Sequence, residues 1–412
     1  MSRRYKIRRN QKIYSGSSRR QRWKVAGFVG ILLVVFLLGW SLYQPIYNFV
    51  TGRITADPSS SATGEGPSGS SDTASQSEQE TSQSQSASQS QPAQTEGTRG
   101  VYLPASALTD LAQLENTLEE LSARGFNAVM VDLKDSEGYV TYNSSLDTVA
   151  QYGLSAETTW DAAQVTALLR EYGMTPVGRL YTFQDHVAPR TMSEAAVRYM
   201  TADGTLWLDD SLENGGRSWL SPGSDLAWQY IQSLMEEAGS LGFETVVLDG
   251  VTFPTTTLGI QYAYFGGDAD TLSHGEVLSA FVQSMETAAQ SQSIRLLLSD
   301  AGETMAGAEN SYVGSNPLLF GQSASAPRIF PSALSAPFEQ AGISLANPSQ
   351  DPGGTVTALL GQMQTLSAEM EYLPILQAYD FTQEQIDAQI QALEALGVED
   401  YILYSPAGSY PS

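Results

Sequence analysis

Residues 121–135 read LSARGFNAVMVDLKD, and the same grammar returns at 168–181 (LLREYGMTPVGRLY), 238–250 (AGSLGFETVVLDG) and 393–406 (LEALGVEDYILYSP). Each stretch is the end of a helical pattern, then a glycine, then a run rich in Val, Ile, Leu and Tyr that suits a buried strand. Gly125, Gly173, Gly242 and Gly397 stand where the residue closing a helix must take left-handed backbone geometry, which glycine adopts without steric cost. Four matching helix-to-strand turns predict one repeated β/α unit built around a parallel sheet.

Outward from these junctions, strand-like runs fall at 100–104, 128–134, 175–183, 245–253, 295–300, 328–332, 372–379 and 401–405. Eight strands alternating with helical patterns between residues 99 and 412 predict a (β/α)8 barrel. A doubly wound open sheet shares the alternation, but the first strand is not followed by the G-x-G-x-x-G turn of its dinucleotide-binding version. Thr158 with Asp161, Thr191 with Glu194, Ser273 with Glu276 and Thr382 with Gln385 carry the spacing of helix capping boxes, so these residues read first as caps.

Ahead of the barrel the chain changes character. Ten of its 21 basic residues lie between Arg3 and Lys24, with no acidic residue among them. No charged residue occurs from Val25 to Gly52, and the apolar stretch 25–43 (VAGFVGILLVVFLLGWSLY) rises about 28 Å as a helix, close to the ~30 Å hydrocarbon core. The basic flank predicts a cytoplasmic tail (1–24), a single-pass anchor (25–43) with Trp40 and Tyr43 at the far interface, and everything beyond it outside the cell membrane. A cleaved signal peptide is the competing reading; the apolar run is longer than such a segment needs, and no clear A-x-A site follows it. Residues 44–98 are dominated by Ser, Gln, Thr, Ala and Gly, too poor in large apolar groups to offset chain entropy, and predict a flexible linker.

The chain has no cysteine, which excludes disulfides, thiolate catalysis and cysteine-based metal sites. Beyond the tail, 11 basic residues face 45 acidic ones, a net charge of −34 that repels nucleic acid and anionic polymers. The only histidines, His186 and His274, rule out a multi-histidine metal centre and leave few ways to build a Ser-His-Asp triad. The run GGDAD at 266–270 lacks the full pattern of a calcium loop and reads as a turn into the helix after Ser273. No cofactor or metal is called for, and a monomer is expected.

Barrel active sites lie at the C-terminal ends of the strands, which narrows the search. Those ends carry Asp132, Lys134 and Asp135; Arg179 and Tyr181; Asp249; Asp300, with Glu303 just beyond; and Gln377 with Asp380. Glycosidic cleavage needs a protonated carboxyl for the leaving oxygen and a carboxylate against the cation-like transition state. Asp249 with Asp300 or Glu303 could supply that pair, while Asp132, Asp249 and Asp300 could equally cap loops or pair with Lys134 and Arg179. Tyr139, Tyr142, Trp160, Trp207, Trp219, Tyr262 and Tyr264 could stack on sugar rings or serve as packing.

NAVMVDLKDSEGYVTY (127–142), TPVGRLYTFQD (175–185), GTLWLDD (204–210), GFETVVLDGVTFP (242–254), IFPSAL (329–334) and LPILQAYDFTQEQIDAQIQALEALGV (373–398) together resemble a family of bacterial barrels described as glycoside hydrolases, DUF4015. The resemblance spans nearly all of 99–412 and implies a barrel hydrolysing O-glycosyl bonds. Where the family's fourth-strand motif reads Phe-Asp-Tyr-Val-Arg-Phe-Pro, this chain keeps Asp249 but has Gly250 and Thr252 at the tyrosine and arginine positions. Ala333 and Ser405 likewise stand where the family carries histidine and asparagine. By analogy with α-amylase and α-galactosidase barrels, Asp249 falls at the strand-4 position of a nucleophilic aspartate.

Three readings follow. The first is a surface-tethered hydrolase of a polysaccharide or cell-envelope glycan, with Asp249 as nucleophile or stabiliser and Asp300 or Glu303 as general acid. In it, Asp132, Lys134, Asp135, Arg179, Tyr181, Trp207, Gln377 and Asp380 position the sugar. The second, motivated by Thr252, Ala333 and Ser405, is a glycan-binding or envelope-organising barrel that has lost catalysis. The third is a partner-binding domain with no glycan affinity.

Overall fold

The computed structural model describes residues 97–411, apart from Ala202 and Thr257. The basic tail, the segment 25–43 and all but the last two linker residues lie outside the described residues, and among the described residues no helix is long and apolar enough to cross a membrane.

Strands β1 (Arg99–Leu103), β2 (Ala128–Lys134), β3 (Thr175–Tyr181), β4 (Thr245–Asp249) and β5 (Arg295–Leu298) pair in parallel in chain order. The sixth and seventh strands are each broken in two: β6 is Ala324–Ser325 plus Arg328–Ile329, and β7 is Glu371–Tyr372 plus Ile375–Gln377. Pro327 and Pro374 sit in the breaks, where a residue without an N–H cannot donate to the ladder. The ladder resumes at once, because Ile375 N donates to Pro327 O at 2.9 Å. The last strand, β8 (Tyr401–Tyr404), pairs with both β7 and β1. With β6 joined to β5 and to β7, the parallel pairings run round to their starting point, consistent with a (β/α)8 barrel.

Helices α1 (Leu111–Ala123), α2 (Asp147–Tyr152), α3 (Ala162–Glu171), α4 (Asp225–Ser240), α5 (His274–Ser291), α6 (Gly302–Met305), α7 (Pro352–Leu366) and α8 (Gln383–Ala395) fill the connections. The four junction glycines hold φ of 84°, 70°, 100° and 76°, the geometry their position demanded. Ser273 with Glu276 and Thr382 with Gln385 form complete capping boxes on α5 and α8. The other two spacings do not: Asp161 itself caps α3, and Thr191 precedes only a three-residue turn.

Inside the barrel, Tyr102, Met130, Val177, Val247, Leu297, Ala324, Ala326, Leu373, Ile375 and Ile402 form one cluster to which every strand contributes. Strand side chains alternate between faces. Counting on by two therefore puts Asp132, Arg179, Asp249, Ser299, Arg328, Gln377 and Tyr404 in the next inward layer, toward the C-terminal mouth. The apolar plug thus gives way to a polar, charged layer, and this fixes where the chemistry can sit.

Candidate active site

The inward layer is organised around two guanidiniums. Arg179 on β3 is buried, 2 % exposed, and grips Asp132 of the neighbouring strand with Nε–Oδ1 at 2.5 Å and Nη2–Oδ2 at 3.1 Å. Tyr102 also donates to Asp132, at 2.9 Å. The rings of Tyr102, Tyr181 and Tyr404 surround the same guanidinium with centroids 5.1–5.2 Å away, so its charge is balanced by one carboxylate and three aromatic rings.

Arg328 on β6 donates through Nη1 to Asp249 Oδ1, with Ser299 Oγ at 3.4 Å, and its Nη2 lies 3.9 Å from Asp300 Oδ1. Asp249, at the end of β4, is buried and also accepts from Gly250 N at 2.7 Å and Ser299 Oγ at 3.4 Å, with Arg179 Nη1 3.9 Å away. Asp300 is different. It accepts one backbone N–H, from Ala301 at 2.6 Å, and its side chain is 18 % exposed. Burial pushes its carboxyl up to about 6, only partly opposed by Arg328 and the Ala301 N–H.

Asp249, Asp300, Arg179, Arg328 and Tyr181 line a cavity of 270 Å3, together with Gln184, Thr252 and Asn310. Phe330 and Tyr404 form one of its walls, stacked on each other at 5.4 Å and 19°, with Tyr379 edge-on to both. The space therefore has an aromatic side and a side carrying two carboxyls in unlike surroundings, Asp249 hydrogen-bonded to a guanidinium and Asp300 not.

Of the residues anticipated from the strand ends, Asp249, Asp300, Arg179 and Tyr181 meet at this cavity, and Asp132 stands behind it as the partner of Arg179. The rest are engaged elsewhere. Glu303 opens α6 and does not line the cavity. Lys134 is buried against Asp185 at 2.9 Å and the carbonyl of Tyr181 at 2.8 Å, fastening the loop after β3. Asp135 caps a turn through the N–H groups of Glu137, Gly138 and Tyr139. Gln377 faces inward but spends its amide on Ser332 and on the carbonyl of Tyr379. Asp380 is exposed, at φ 60°.

Trp207 is packed with Val197, Trp219 and Ala263 in a satellite core, its indole N–H donating to Gly259 O at 3.2 Å, so it presents no face to a sugar. Tyr142, Trp160 and Trp219 are buried too, while Tyr139, Tyr262 and Tyr264 are exposed away from the cavity lining. His186 is buried with Nδ1 on Ser218 O at 2.7 Å. The residues that strand-end reading missed are Arg328, Phe330 and Tyr404. The inward parity from Ala324 and Ala326 to Arg328, and from Ile402 to Tyr404, carries the signal that finds two of them.

The model of family DUF4015, described as "Putative glycosyl hydrolase domain", matches residues 100–410. The chain belongs to this family. Among solved structures, this DUF4015 barrel resembles the glycoside hydrolase domain of PgaB (BpsB) from Bordetella bronchiseptica. The two are 16% identical over 76% of this chain and 95% of that one, with a TM-score of 0.51, a likeness that shows the fold. It is also similar to an α-galactosidase from Thermus thermophilus in complex with stachyose (13% identity, 76% and 62% covered, TM-score 0.46). A hypothetical protein from Ruminiclostridium thermocellum is 24% identical over 48% of this chain and 96% of that one, with a TM-score of 0.42. No curated protein matches the chain.

Proposed function

We propose that this DUF4015 barrel hydrolyses an O-glycosidic bond in a polysaccharide or cell-envelope glycan, with Asp300 as general acid and Asp249 as the charge-stabilising carboxylate. The observation that carries the reading is the pairing of unlike carboxyls on one cavity: Asp249 held by Arg328, and Asp300 pushed up to about 6 by burial. Asp300 gives its proton to the glycosidic oxygen as the bond to the anomeric carbon breaks, and the electron pair leaves with that oxygen. Asp249 balances the positive charge that develops on the sugar. Water supplies the hydroxyl the anomeric carbon keeps, and its proton restores Asp300. Phe330 and Tyr404 offer the apolar side against which a pyranose lays its C–H face.

The same reading places the barrel outside the cytoplasm, tethered by segment 25–43 and the linker, as a monomer. The basic tail and the uncharged run that follows it support that placement. The test screens the full-length chain in detergent micelles against a panel of cell-envelope and storage glycans, scoring reducing-end release and binding side by side. Release lost in Asp249→Asn supports the hydrolase; binding without release in wild type replaces it with a glycan-holding barrel.

A further inference from the structure

The geometry points to Arg328 as the positioning residue that decides which of the two cavity carboxylates carries the proton. This assignment rests on the hydrolase reading of the site. Pro327 interrupts β6, and directly after it Arg328 N donates to the carbonyl of Asp300 at 2.9 Å, with Arg328 itself bridged to Ala301 in parallel register. The arginine is thus tied through its main chain to Asp300, just past the end of β5, and its side chain reaches back to the residue at the end of β4. Its place between the two carboxylates is set by strand pairing.

The guanidinium does not treat them alike. Nη1 makes a charge-assisted hydrogen bond to Asp249, whereas Nη2 stands 3.9 Å from Asp300, beyond hydrogen-bond reach. Asp249 therefore receives the strong interaction with a cation, and Asp300 only its through-space field. When Asp300 gives up its proton, the same planar fork offers Nη2 as a charged donor to the new carboxylate, beside the Ala301 N–H that it already accepts. The other charged or titratable groups facing this pair are Arg179 and Tyr181 from β3, Asp132 behind Arg179, and Glu303 at the start of α6. Arg179 is already committed to Asp132 by two hydrogen bonds, so Arg328 is the cation whose loss changes the balance. A lysine at this position is a point charge that cannot bond one carboxylate while leaving a second donor aimed at the other.

The test follows the carboxyls themselves. The full-length chain is labelled with 13C at the aspartate side-chain carboxyl, signals are assigned with Asp249→Asn and Asp300→Asn, and both sites are titrated in wild type, Arg328→Lys and Arg328→Met. Asp249 in Arg328→Met stands as a buried charge with little compensation, so Arg328→Met/Asp249→Asn is the second variant, which keeps the Asp300 titration readable if the single variant unfolds. Removing a cation that favours the charged form raises both midpoints. The expected result in Arg328→Met is an upward move of Asp249 larger than that of Asp300, with Asp300 moving by about one pH unit, a tenfold gain in proton affinity, both there and in the double variant measured against Asp249→Asn. Arg328→Lys gives a smaller move, and the bell of turnover against pH travels upward with the midpoints. Unmoved midpoints in folded variants overturn the assignment and leave Arg328 a packing residue. Because the titration needs no substrate, absence of turnover on every glycan with midpoints that still move defeats the hydrolase reading alone.

Discussion

Replacing Asp132 by asparagine removes the charge that balances the most deeply buried guanidinium of the barrel. Arg179 is 2 % exposed and makes two hydrogen bonds to Asp132, while its next carboxylate, Asp249, is 3.9 Å away and already bonded to Arg328. Breaking a buried pair from one side leaves a charge without its partner and costs about 3–5 kcal/mol. At roughly 2–4 °C per kcal/mol, the melting temperature falls by about 10 °C. The assay is thermal unfolding of the full-length chain in detergent, read by far-ultraviolet circular dichroism. Asp132→Asn/Arg179→Met removes both charges, and it recovers most of the loss because no guanidinium is left buried without its counter-charge. It does not recover activity, since Arg179 lines the cavity. A melting temperature for Asp132→Asn close to wild type, or a double variant no better than the single one, would refute the claim that Asp132 serves as the counter-charge of Arg179.

Asp300→Asn lowers turnover on a natural glycan by roughly 10^2–10^4, the usual contribution of a general acid, and wild-type turnover declines as pH rises through about 6. The same carboxyl has its folded value raised above the ordinary one, so it adds stability that is complete below about 4 and lost as pH rises through about 6. Urea melts from pH 4 to 7 should therefore show wild type losing up to about 3 kcal/mol that Asp300→Asn does not lose. Phe330→Ala weakens glycan binding by about tenfold, from roughly 1.5 kcal/mol of lost apolar contact, with the melting temperature less affected than binding; calorimetric titration checks it. Trp207→Ala does the reverse, costing about 3–5 kcal/mol of stability as a buried aromatic truncation and leaving the affinity of the folded fraction unchanged.

The barrel was legible because its signals are local. A glycine with positive φ after a helix, followed by an uninterrupted apolar strand, states its own structure at Gly125, Gly173, Gly242 and Gly397. Asp249 and Arg179 were legible for a related reason: each follows an inward apolar residue by two positions, Val247 and Val177. Arg328 was hidden by Pro327. The break makes the sixth strand look as if it begins at Arg328, at the barrel's base, whereas Ala324–Ser325 open it and put Arg328 at the mouth. Trp207 and Gln377 illustrate the opposite limit. Residue type suits both to a sugar site, and strand-end position adds to the case for Gln377, but loop packing around Trp219 claims the first, and hydrogen bonds to Ser332 and Tyr379 claim the second. Ser332 lies 45 residues from Gln377 in the chain, and the satellite core around Trp207 gathers residues from Val197 to Ala263, so no local pattern announces either.

The proposed mechanism divides its labour between Asp300 and Asp249, and leaving-group dependence tests that division. Rates of wild type, Asp300→Asn and Asp249→Asn are compared on a glycan the wild type cleaves and on an aryl glycoside of the same sugar, whose phenolate departs without protonation. Asp300→Asn is expected to lose activity on the glycan but to keep much of it on the aryl glycoside, while Asp249→Asn loses both. Equal loss on both substrates in Asp300→Asn, or full activity in Asp249→Asn, would contradict it.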